Sequence, residues 1–157
     1  MKTKSNIQFF FILSLVTILS VFTACSDDDG DTTPPVIQLN KPAEGANLMI
    51  GSTICLDMEL SDDEMLSSYK VEIHNNFDGH EHTRAEEATT AFQFQKSWSV
   101  ADQKNAKIHQ HEIEILENAA PGNYHLMVYC TDAAGNESYV ARNIVLSHAG
   151  EEHNHGE

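Results

Sequence analysis

Basic residues are scarce in this chain. Nine lysines and arginines stand against 24 aspartates and glutamates, for a formal net charge of −15 at pH 7. A surface of that sign repels phosphate backbones and anionic headgroups, which argues against nucleic acid as a partner, and it attracts cations. Cysteine is scarce too: with three in 157 residues, no disulfide framework can replace a packed core. There is no glycine-rich phosphate loop, no GxSxG elbow and no HExxH pair. The acids are plentiful but scattered, a poor basis for a glycosidase pair. The chain therefore reads as a binding or structural protein and not as an enzyme.

Long apolar runs are missing, with one exception. Phe9 to Ala24 is almost uninterrupted and follows Lys2 and Lys4. It is too short and wrongly flanked for a membrane span. It ends in Phe22-Thr23-Ala24-Cys25, which resembles a lipobox, where small residues precede a cysteine that is acylated after cleavage. Phe22 departs from the usual aliphatic residue there. The expectation is a lipoprotein signal peptide over residues 1–24, with Cys25 lipidated and holding the protein to a membrane. Plain secretory cleavage near Ala24 is the competing reading. The next residues, Ser26-Asp27-Asp28-Asp29-Gly30-Asp31, resemble the acidic export signal of surface lipoproteins in some Gram-negative bacteria, although a solvated tether would look the same. The expected location is the outer membrane, at the surface or on the periplasmic face.

Residues 25–33 lack apolar periodicity and read as a tether. Residues 34–147 form a series of short apolar segments separated by turn signals, and residues 148–157 an acidic, His-rich tail. Seven strands are expected: Val36 to Asn40, Ile50 to Leu60, Ser67 to His74, Phe92 to Val100, Ile108 to Leu116, Tyr124 to Thr131 and Tyr139 to Ser147. In the third, Tyr69, Val71 and Ile73 alternate with Lys70, Glu72 and His74; in the sixth, Tyr124, Leu126, Val128 and Cys130 share one face. Period-two alternation with one apolar face predicts an all-β, two-sheet sandwich.

Pro34-Pro35, Gly51, Gly122-Asn123-Tyr124 and Thr131-Asp132-Ala133-Ala134-Gly135-Asn136 resemble the bacterial immunoglobulin-like domains of secreted proteins. The stretch His74-Asn75-Asn76-Phe77-Asp78-Gly79-His80-Glu81-His82 narrows this. The chain is similar to a family of short Ig-like lipoproteins catalogued as a domain of unknown function. That resemblance implies fold and location and brings no chemistry.

In an Ig topology the third and sixth strands are antiparallel neighbours. His74 and His125 then face each other across them, both pointing away from the core. Asp78, His80 and His82 follow His74 in sequence, and His148, His153 and His155 follow the seventh strand toward the same pole. Imidazole is the commonest ligand for zinc, copper and nickel. The expected site is therefore a zinc or copper centre built from His74, Asp78, His80, His82 and His125, with His148, His153 and His155 as further candidates. Incidental hydrophilic histidines are the competing reading, because the spacing matches no standard zinc motif. His109 and His111 fall on the face of Ile113 and Ile115 and are read as capping that inner face.

Asp62, Asp63 and Asp132 lie in loops at the other pole, with Asp31 near chain entry. Oxygen ligands suit calcium, but the same residues populate turns for backbone reasons, and the turn reading is preferred. A bridge between Cys55 and Cys130 is open to an exported protein, although their strand faces oppose it. Two functions follow: a lipid-anchored module binding zinc or copper at the envelope, or a structural or adhesion-type module contacting an envelope protein or glycan.

Overall fold

A computed structural model describes residues 30–76 and 89–149. The described residues are all-β, with strands β1 (Val36–Lys41), β2 (Ala46–Met49), β3 (Thr53–Asn75), β4 (Phe94–Glu114), β5 (Gly122–Asp132) and β6 (Glu137–Ser147). None of them lies in a helix long and apolar enough to cross a membrane. The ladders run β1-β3-β5-β6-β2, and β4 pairs β3. The sheet curls, because β3 and β4 are long and serve two neighbourhoods each. The first half of β3 pairs with β1 and the second half of β4, and its second half pairs with β5 and the first half of β4. A two-layer Ig-like sandwich is compatible with this connectivity.

The alternation expected from sequence is what buries the core. Ile54, Leu56, Met58 and Leu60 point inward from the first half of β3, and Tyr69, Val71 and Ile73 from the second. Tyr124, Leu126, Val128 and Cys130 face them from β5. Tyr69 stacks on Trp98 with ring centroids 5.0 Å apart. The Tyr124 hydroxyl donates to the Ala120 carbonyl at 2.7 Å and accepts from the Phe92 amide at 3.1 Å. A tyrosine near a strand start whose hydroxyl binds backbone a few residues upstream resembles the tyrosine corner of Ig-type sandwiches. Among the described residues, the strands and the core cluster fall between Val36 and Ser147, so the chain from Asp31 onward carries its own hydrophobic core.

The strand count differs from the expected seven. The second and third expected strands are one, β3, because Ser61 to Met65 contains no proline or glycine and the ladder passes through it with register shifts rather than stopping. The fourth and fifth join in the same way as β4. The sequence reading missed β2, which pairs parallel to β6, Ala46 against Ile144 through Met49 against Ser147.

Candidate metal centres

The His74–His125 pair sits where topology and alternation placed it. His74 is in register with His125 between β3 and β5. Their rings meet edge to face, centroids 5.4 Å apart and planes at 89°. Both are half-buried, so strand backbone fixes them while solvent still reaches the imidazoles. Asn143 of β6 is in register with His125 on its other side. Its amide and side-chain nitrogens donate to Glu44 at 3.1 and 2.6 Å. Those hydrogen bonds hold the Glu44 carboxyl below its ordinary range, with a smaller contribution from His125 itself. On the other flank, Glu72 is held low mainly by its hydrogen bond from Lys70, and His74 adds to the effect. Glu44 and Glu72 thus lie within electrostatic reach of the imidazole pair, each beside a basic side chain as well, Arg142 and Lys70. The sequence singled out neither. His148 follows the end of β6 at this pole, exposed to solvent. Cys25, Asp78, His80, His82, His153 and His155 lie outside the described residues.

A second grouping corrects the reading of His109 and His111. They do not cap the inner face: both are exposed. A bulge is responsible. Ile54 and Leu56 pair with Ile113 and Gln110, so β4 spends one residue more than β3 and its inward parity changes. Ala106 is inward before the bulge, and Ile113 and Ile115 after it. His109 and His111 are left pointing outward, rings 5.2 Å apart. Cys55, between the inward Ile54 and Leu56, points the same way. One ligand atom from each of Cys55, His109 and His111 lies within 4.8 Å of the others. The bridge considered from sequence is not formed: Cys55 and Cys130 are both free, and Cys130 is buried in the core. Burial pushes the Cys130 thiol up to about 11, with help from nearby acids led by Asp62.

The acidic pole is divided between two tasks. Asp31, Asp62 and Asp63 bring carboxylate oxygens within 4.8 Å of one another. Asp132 does not join them. It is 2% exposed and serves its own turn, accepting from the Gly135 amide at 2.6 Å, the Asn136 amide at 2.7 Å and the Asn136 side chain at 2.7 Å. Asp62 likewise accepts from the amides of Glu64 and Met65 at 3.0 and 2.7 Å. These are the backbone duties that aspartate performs in turns. Asn136 also donates to the Asp31 carbonyl at 3.0 Å, which ties the chain entrance to the end of β5 opposite His125, where Asp132 is in register with Leu66 midway along β3.

A family model described as a domain of unknown function, DUF4625, matches residues 23–147. Among curated proteins none matches the sequence.

Proposed function

The chain belongs to the DUF4625 family, a membership that assigns no activity, and from that premise we propose that it is a lipid-anchored Ig-like module that captures zinc or copper at the cell envelope through strand-held histidines. The single observation that carries this reading is the His74–His125 pair, in register and 5.4 Å apart by ring centroid. Two imidazoles fixed by one ladder lose little freedom on binding, so they can set the geometry that ligands on neighbouring chain complete. Asp78, His80 and His82 follow closely in sequence, and Glu44 supplies a carboxylate nearby. Nitrogen with oxygen donors suits zinc or copper(II) better than calcium or magnesium, which take oxygen.

Calorimetric titration of the chain Asp31–Glu157 with zinc tests this. One binding event should weaken by about tenfold or more in His74→Ala and again in His125→Ala. Protons compete with metal for imidazole, so affinity should also fall on acidification. Zinc heats indifferent to both substitutions would remove the site. They would leave the second reading, an adhesion-type module. That alternative draws on the outer-face ring pair of Tyr129 and the exposed Tyr139, 5.9 Å apart, a surface suited to a protein or glycan partner.

The anchor is tested separately. Cys25→Ala should move the protein from the membrane to the soluble fraction on cell fractionation, because acyl chains on that cysteine are the proposed attachment. Retention on the membrane would mean that something else holds it.

A further inference from the structure

We propose a second and chemically distinct metal site, in which Cys55, His109 and His111 bind zinc or a similar borderline-soft ion as a mixed thiolate–imidazole centre. It goes beyond the histidine-pair reading and does not depend on it. Three potential ligand atoms lie within 4.8 Å of one another, close enough for small side-chain rotations to bring them to one ion whose bonds are about 2.0–2.3 Å long. All three belong to paired strands rather than to loops, so the backbone ladder presets their spacing.

The hydrogen bonding behind the ligands supports the assignment. His109 Nδ1 lies 3.1 Å from Asp57 Oδ2. An ionised carboxylate can only accept, so in the neutral imidazole Nδ1 carries the hydrogen and Nε2 is the atom with a lone pair for a metal. Asp57 is itself fixed by the Asn40 side chain, which donates at 2.9 Å. A carboxylate behind a histidine is the usual outer shell of a metal-ligating imidazole. The bulge opposite Cys55 is the device that brings the ligands together. Without the extra β4 residue, His109 and His111 would share a face with the buried Ile113 and Ile115.

Sulfur and nitrogen donors exclude calcium and magnesium and select zinc or copper. Three protein ligands leave a fourth position for water or an exchangeable donor. Binding would displace the thiol proton of Cys55 to solvent, with no change of oxidation state when the ion is zinc.

Cobalt(II) substituted into the chain Asp31–Glu157 gives a test that the histidine pair cannot mimic. Only a thiolate ligand produces a sulfur-to-cobalt charge-transfer band in the near ultraviolet. The band should be present in the unsubstituted chain, vanish in Cys55→Ser, and persist in the His74→Ala/His125→Ala double variant. His109→Ala and His111→Ala should each weaken cobalt binding by about tenfold or more. Asp57→Asn, which perturbs a positioning residue, should keep the band at about tenfold lower affinity. Circular dichroism of each variant checks that the strands remain. Absence of the band from the folded unsubstituted chain, or its survival in Cys55→Ser, overturns the proposal. So does loss of the band in the His74→Ala/His125→Ala variant.

Discussion

Replacing Leu126 with alanine is expected to destabilise the domain by about 2–5 kcal/mol, the range for removing a large aliphatic side chain from a close-packed core. Leu126 is fully buried at the centre of β5, in register with Ile73 of β3 on one side and Arg142 of β6 on the other. The cavity would open between two strands that cannot separate without breaking both ladders, so little relaxation should offset it. Domains of this size have about 5–15 kcal/mol in total. The variant should therefore unfold well below the parent in a thermal melt followed by circular dichroism, with a lower urea midpoint and an unchanged slope. A midpoint within about 0.5 kcal/mol of the parent would mean that β5 is not the packed centre. His125 is the neighbouring residue, so the same variant should also bind zinc less well at temperatures where its strand begins to open.

Asp132→Ala should cost about 3 kcal/mol. It removes a buried acceptor and leaves the amides of Gly135 and Asn136 without it, while the Asn136 side chain keeps its bond to the Asp31 carbonyl; leaving buried donors unsatisfied costs about 1–3 kcal/mol. The pH dependence has a definite sign. Burial alone would raise the Asp132 carboxyl, but the hydrogen bonds from Asn136 and Gly135 outweigh it and hold it below its ordinary range. A carboxyl lowered by folding contributes stability that is complete above its unfolded value, about 3.9. That contribution is lost as pH falls through the lower folded value. Parent and variant should therefore differ most near neutral pH and converge on acidification below about pH 4. A gap that stays constant down to pH 2 would assign the cost to lost packing rather than to the charged turn.

The histidine pair was legible from sequence because it needed only two inferences. Alternation along Tyr69 to His74 and Tyr124 to Cys130 fixed the outward faces, and strand adjacency supplied the pairing. The Cys55–His109–His111 grouping was hidden for a specific reason. Period-two counting puts His109 and His111 in phase with Ile113 and Ile115, and only the bulge against Ile54 and Leu56 breaks that phase. A bulge leaves no proline or glycine to mark it here. An HxH pair on an otherwise hydrophilic segment was the available clue. The segment Ser61 to Met65 misled in the opposite sense, since its acids look like a loop while it belongs to strand β3. Asp132 was readable as a turn residue, and the three hydrogen bonds it accepts are of that kind.

Metal content separates a metal-capturing domain from one whose histidines are incidental. The purified chain Asp31–Glu157, loaded with zinc and dialysed against metal-free buffer, should retain about two zinc ions by elemental mass spectrometry, one per strand-held grouping. The content should fall by about one ion in His74→Ala/His125→Ala, by about one in Cys55→Ser/His109→Ala, and to near zero when all four substitutions are combined in a chain that still folds. A folded parent that retains no zinc, or a combined variant that retains as much as the parent, would contradict metal capture by these strands.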